Sequence, residues 1–425
     1  MDAAVNEMPL VARQPILDRH GHRVAYELLY RGAPLLGADA DTTATARVLA
    51  ESIGSRGIVD IAGSARLFVN FGQELLENPT ILGVLSPESV VIEVLESVDP
   101  SPRVREAILG LRARGFRIAL DDFVYQPAFE PLVEMADYVK IDVQVSKDTL
   151  ERDVRRCRRR QLQLVAEKVE TYAQFSRCLA LGFDLFQGYY FCRPETVSGK
   201  PLAPSHVAAL NLIAALQDPT TGAKATAAII AHDVALAYQV LRLANSPLLR
   251  RRREIANMHD AIVILGHDAL SNWATLLMLS RLTSNKPSEI VRTALVRAHM
   301  CSLLAKESDG VADCTHFAAG LLSVLDALLD RPMADIVRRL GLRAELGNAL
   351  LGDSQGTVGR VLQHVQAYEA GDWARVIALA NVNSLRDVYF DALRSADAVL
   401  AAVTSLGRKH QRHANICSRQ LRTER

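Results

Sequence analysis

Residues 116–123 read Phe-Arg-Ile-Ala-Leu-Asp-Asp-Phe, a short β-rich run, Phe116–Leu120, that ends on two adjacent carboxylates, Asp121 and Asp122. The pattern repeats through the first half of the chain. Runs at Arg23–Leu29, Arg66–Phe71, Ser89–Leu95, Tyr138–Ile141, Gln163–Ala166 and Leu185–Gln187 alternate with helical stretches, which implies parallel βα units. In one such stretch, Pro102–Arg114, Val104, Ile108 and Leu111 recur at helical spacing and charged residues take the other face. A closed α/β barrel fits this order better than a small open sheet.

Acidic or amide residues end successive predicted strands: Glu27, Asn70, Glu93, the pair Asp121 and Asp122, and Glu167. In a (β/α) barrel those ends converge on one face, where active sites lie. Carboxylates so crowded repel one another unless cations neutralise them, which points to Mg²⁺ or Mn²⁺ and to a site for two ions. Lys140 and Gln187 end two further strands and could hold a water, a phosphate oxygen or a base edge. Arg31 could clamp a phosphate through its planar fork. A lone strand-end acid is more often a helix cap or a surface charge, and Asp99 before Pro100 is read that way. Recurrence at one relative position, strand after strand, outweighs that reading for the others.

The chain of 425 residues is long enough for two domains. A net charge of +1 exerts no global pull on nucleic acid or an anionic membrane. The six cysteines lack CxxC pairing, no basic segment leads into an apolar core, and no run reaches the length of a membrane span, so a reducing cytoplasm is expected. Pro194–Ser205 is rich in Pro, Gly and Ser and reads as a linker, and Ala208–Leu400 reads as short helices, an all-α domain. The boundaries are 1–196 for the barrel, 197–206 for the linker, 207–400 for the helical domain and 401–425 for a basic tail expected to be disordered. Basic runs at Arg155–Arg160 and Arg250–Arg253 have no interleaved aromatics, so they read as solvated faces, and nucleic acid is not an expected partner.

The ordered motifs resemble the EAL family of cyclic-di-GMP phosphodiesterases: Glu27-Leu28-Leu29-Tyr30-Arg31, FVNF around Asn70, Glu93-Val94-Leu95-Glu96, Asp121-Asp122-Phe123, Lys140-Ile141-Asp142, Glu167-Lys168-Val169-Glu170 and Gln187-Gly188. The resemblance implies a TIM-like barrel that hydrolyses cyclic-di-GMP to pGpG. It implies one metal on Glu27, Asn70, Glu93 and Asp121, and a second shared by Asp121, Asp122 and Glu167. Lys140 would orient the attacking water, with Asp121 and Glu167 also catalytic, and Arg31, Leu29 and Gln187 would contact the dinucleotide. Three departures stand out: Leu28 for the motif alanine, Lys168 for a glycine, and Val124–Phe129 where relatives carry a glycine-rich loop that orders the second metal and the dimer interface. That third change leaves open a receptor or scaffold that does not turn over.

The second half resembles the HDOD module, a relative of HD-type metal phosphohydrolases, through Ile229–Ser246 and Asp260–Leu270. Where a working HD enzyme carries Gly-Leu-Leu-His-Asp, this chain has Ser323 and Val324 in the two ligand positions. The module is expected to be non-catalytic and to bind a signalling protein. Asp233 reads as a helix cap, and His232-Asp233 as no metal dyad. Dimerisation through either half is compatible with the sequence.

Overall fold

The computed structural model describes residues 10–31, 62–77, 85–158, 160, 162–192, 204–218, 220–245, 255, 257–282, 286–309, 314–379 and 384–403. Most of the expected linker, the Arg250–Arg253 run, nearly all of the basic tail and the side chain of Arg31 lie outside them.

Eight strands close into a barrel in sequence order: β1 Leu10–Asp18, β2 Arg23–Arg31, β3 Arg66–Phe71, β4 Val90–Val94, β5 Arg117–Leu120, β6 Tyr138–Asp142, β7 Gln163–Glu167 and β8 Leu185–Gln187. The seven expected strands are all there, and from β2 to β8 each pairs with the next in parallel. The eighth, β1, runs antiparallel to both β2 and β8. It joins β2 through a tight turn in which Asp18 Oδ1 accepts from the backbone of His20 and His22, each at 2.8 Å. A hairpin needs no crossover helix, and Pro15 inside the run masks its strand character, so the βα rhythm does not announce it.

One residue from each strand builds a single buried cluster: Ile16, Ala25, Phe68, Val91, Ala119, Tyr138, Val165 and Leu185. Side chains alternate faces along a strand. Two positions further along the parallel chain direction come Glu27, Asn70, Glu93, Asp121, Lys140, Glu167 and Gln187. On antiparallel β1 the matching step runs backwards, to Gln14. The apolar layer is thus the floor on which a ring of polar side chains stands.

The chain forms two compact units. The barrel unit takes in residues 287–289 and 366–390 as well as the first 195. Within it, the Tyr368 hydroxyl donates to Val11 O at 2.6 Å, and Arg13 N donates to the Tyr389 hydroxyl at 3.1 Å. The other unit is helical, with Pro204–Gln217, Ala223–His232, Val234–Ala244, Met258–Leu265, His267–Leu282 and Cys314–Leu322 among its elements. Asp233 caps Val234–Ala244 by accepting from Leu236 N at 2.8 Å, as its sequence position predicts. Gly320 is required by close packing, because a Cβ there would lie 2.4 Å from Ala298 N. Among the described residues no single helix is long and apolar enough to cross a membrane.

Candidate active site

Lys140, in the middle of β6, is fully buried, and its ammonium is the hub of the polar ring. Nζ lies 3.0 Å from Glu27 Oε2, 3.1 Å from Asp121 Oδ1 and 2.7 Å from Glu167 Oε1, and it also contacts Glu93. Glu27 in turn accepts from Asn70 Nδ2 at 3.4 Å and from Gln187 Nε2, which also donates to Gln14 at 2.8 Å. Glu27, Asn70, Glu93, Asp121, Lys140, Glu167 and Gln187 therefore meet, as their places at strand ends predict. Gln14 is the member that sequence reasoning missed, and finding it required the antiparallel first strand. Gln187 is buried with its amide on Glu27 and Gln14, so in this state it steadies a carboxylate rather than facing the mouth.

Four carboxylates against one ammonium leave the ring with excess negative charge. Burial, which disfavours the ionised acid, pushes Glu93 well above the ordinary carboxylate range; Lys140 counters this, while Glu27, Asp121 and Glu167 add to it. Burial likewise lifts Glu167 to about 8 against the pull of Lys140. Glu27 moves the other way. Burial opposes its charge, yet Lys140 and the hydrogen bonds from Gln187 and Asn70 hold its pKa down. For Lys140 itself burial works against the charge, but Glu167, Glu27, Glu93 and Asp121 together hold it far up, so it stays an ammonium.

A divalent cation suits this ring. Glu93 Oε2, Glu167 Oε2 and Asn70 Oδ1 are buried without a hydrogen-bond partner, and such oxygens are costly unless something binds them. Ligand oxygens of Glu27, Glu93 and Glu167 lie within 4.8 Å of one another, the only such group of three among the described residues. All donors are oxygens, the set that hard cations such as Mg²⁺ and Mn²⁺ prefer. Because Glu167 holds a proton below about pH 8, an ion entering the ring must release it. Mn²⁺ affinity is therefore expected to rise with pH, roughly tenfold per pH unit per released proton. Calorimetric titrations at pH 6, 7, 8 and 9 check this, and a flat profile would mean that Glu167 is not displaced of its proton.

The second ion implied by the resemblance meets a different setting. Asp122 and Lys168 both have left-handed backbones, at φ 39° and 55°, which non-glycine residues rarely adopt. Lys168 Nζ lies 3.0 Å from Asp122 Oδ1 and 2.8 Å from Asp142 Oδ2. Asp122 thus already has a cationic partner, and the sequence showed Lys168 only as a missing glycine. The segment after Asp122 is pinned. Phe123 is buried with its N–H on Lys140 O at 2.9 Å, the Tyr125 hydroxyl donates to Glu130 at 2.8 Å, and the Arg156 guanidinium lies 4.0 Å over the Tyr125 ring. Arg158 donates to Gly182 O at 2.7 Å and Arg160 pairs with Glu130. The Arg155–Arg160 run is thus partly used in holding the barrel together.

At the barrel mouth, Leu29 is half-buried. A Cβ at Gly371 would lie 3.3 Å from Leu29 Cδ1, and the Tyr189 hydroxyl donates to Glu369 O at 2.6 Å. A segment almost 350 residues away in sequence thus borders an expected substrate contact, which no local motif announces. Gly188 is forced by its surroundings, since a Cβ there would lie 2.1 Å from Val169 O. In the helical unit Val324 is buried, and Ser323 Oγ donates to Gly320 O at 2.7 Å while accepting from Arg297 at 3.1 Å. Both stand as structural residues. His299, which burial drives down to about 4, is held neutral.

The EAL domain model matches residues 11–194 and the HDOD domain model residues 202–345. The chain is 35% identical over 376 residues to cyclic di-GMP phosphodiesterase CdgJ of Vibrio cholerae, covering 86% of each chain. It is 32% identical over 394 residues to the uncharacterized protein YuxH of Bacillus subtilis, covering 89% of this chain and 95% of that one. Among solved structures it is similar to Klebsiella pneumoniae BlrP1 in a calcium/cy-diGMP complex, at 26% identity, 44% coverage of this chain, 55% of that chain and a TM-score of 0.37. With its order of domains and its identity to CdgJ across both of them, the chain belongs to the family of proteins in which an EAL domain precedes an HDOD domain.

Proposed function

We propose that the barrel is a Mg²⁺- or Mn²⁺-dependent phosphodiesterase that opens cyclic-di-GMP to linear pGpG. The observation that carries this reading is the ring of Glu27, Glu93, Asp121 and Glu167 around buried Lys140, in which Glu93 Oε2 and Glu167 Oε2 have no hydrogen-bond partner. The name of the CdgJ relative supports it. Glu27, Asn70, Glu93 and Asp121 would hold the ion. When bound, a divalent cation supplies a lowered pKa for the attacking water and charge neutralisation at the phosphate.

The chain's own groups do the rest. Lys140 keeps Glu27, Asp121 and Glu167 in fixed orientation. Glu167, beside Lys140 in the ring, would take the proton that the water loses. Because pGpG carries its free phosphate at the 5′ end, the bond that breaks is P–O3′, and the ribose 3′-oxygen leaves with a proton. Leu29 would give an apolar contact to a base, Arg31 would pair with a phosphate, and Gln187 would position Glu27. Purified protein with cyclic-di-GMP and Mn²⁺ should yield pGpG.

A receptor that binds the dinucleotide without cleaving it is the second reading, favoured by the pinned segment after Asp122 and the Lys168–Asp122 pair. Binding with no pGpG would select it. The HDOD half acts as a non-catalytic surface for a signalling protein, supported by Ser323 and Val324 in place of metal ligands. Crosslinking of the full chain in cells should place partners on residues 204–365, and crosslinks confined to the barrel would count against this role.

A further inference from the structure

We propose that the Lys168 ammonium, held between Asp122 and Asp142, takes the place of the second divalent cation that would share Asp122, so that the barrel binds one metal ion per chain. The inference rests on the inner ring being a metal site. What carries it is the contrast between two acidic groups at the same mouth. The inner ring has buried carboxylate oxygens with no hydrogen-bond partner, whereas the carboxylates of Asp122 and Asp142 are both bridged by one tethered cation, at 3.0 and 2.8 Å. Asp142 is further occupied through Oδ1, which accepts from Gln144 N at 2.8 Å.

The backbone supports the same assignment. Asp122 and Lys168 are the only described non-glycine residues of the barrel with positive φ. Such conformations cost free energy and persist where the surroundings hold them. Here a left-handed Lys168 sends its side chain to a left-handed Asp122, and the end of β7 is locked by Val169 N on Gln187 O at 3.0 Å and Tyr190 N on Val169 O at 3.1 Å. The Lys168 ammonium donates to both carboxylates, to Asp122 Oδ1 at 3.0 Å and to Asp142 Oδ2 at 2.8 Å. Lys168 is half-exposed, so each ion pair alone is weak, and it is the pairing of one cation with two acids that excludes a second ion. Lys168 is accordingly a positioning residue that fixes Asp122 and leaves a single positive charge where a dication would sit.

Mn²⁺ titration of the metal-free full chain by calorimetry and electron paramagnetic resonance tests this. The wild type should take up one Mn²⁺ per chain with an uncoupled spectrum. Lys168→Gly, which also relaxes the left-handed backbone, and Lys168→Met, which keeps the stem, should each take up two, with spin coupling between them. Two ions in the wild type, or one ion in both variants, would overturn the inference. A wild type that binds one ion and keeps it in Glu27→Ala would instead overturn the inner-ring reading, as would a chain that binds none.

Discussion

Lys140→Met should lower the stability of the metal-free barrel by about 3–5 kcal/mol at alkaline pH, because it removes the ammonium that pairs with Glu27, Glu93, Asp121 and Glu167. The loss should depend on pH in a definite direction. Glu93 and Glu167 have raised pKa values in the folded chain. Such acids hold protons when folded that the unfolded chain has released, so their stabilising contribution is complete below the unfolded value and is lost as pH rises through the folded one, about 8 for Glu167. Lys140 moderates both shifts, and without it the two acids need protons even more. At pH 5 they can take them and Lys140→Met should be mild; at pH 9 they cannot, and the full loss should appear. Urea midpoints of the barrel transition at the two pH values measure this. Millimolar Mn²⁺ should restore part of the loss, since an ion that binds only the folded ring stabilises it. Equal destabilisation at pH 5 and 9 would show that Lys140 matters for packing rather than charge.

Glu27→Ala should cut pGpG formation by about a thousandfold or more. Glu27 accepts from Lys140, Gln187 and Asn70 and is an expected metal donor. Losing metal assistance removes several kcal/mol of transition-state stabilisation, and about 4 kcal/mol corresponds to about three powers of ten. The substitution removes one of four crowded acids, so the fold should survive, which circular dichroism would verify. The deficit should fall on kcat, with dinucleotide affinity changed less, because Leu29 and Arg31 remain. Turnover near the wild-type rate in Glu27→Ala would place the chemistry elsewhere.

Much of the site was legible because the code is local. An inward residue at a strand end is announced by the run before it, and Glu27, Asn70, Glu93, Asp121, Lys140, Glu167 and Gln187 each stand two places beyond the apolar residue of the buried layer. The helix cap at Asp233 is equally local. Gln14 was not legible, because its strand runs backwards and carries a proline. Nor was the partnership of Lys168, which is separated from Asp122 by 46 residues. Its sequence signal was a lysine where a glycine was expected, which marks strain but not the direction of the side chain.

Strand period, residue chemistry and motif order depend only on neighbours along the chain, and the barrel, the helical half and the polar ring could be read from them. Tertiary structure alone decided how those charges are paired. Lys140 lies among four acids, Lys168 between Asp122 and Asp142, and Gly371 beside Leu29. Pairing is a matter of distance, and barrel closure is what brings residues remote in sequence within about 3 Å of one another.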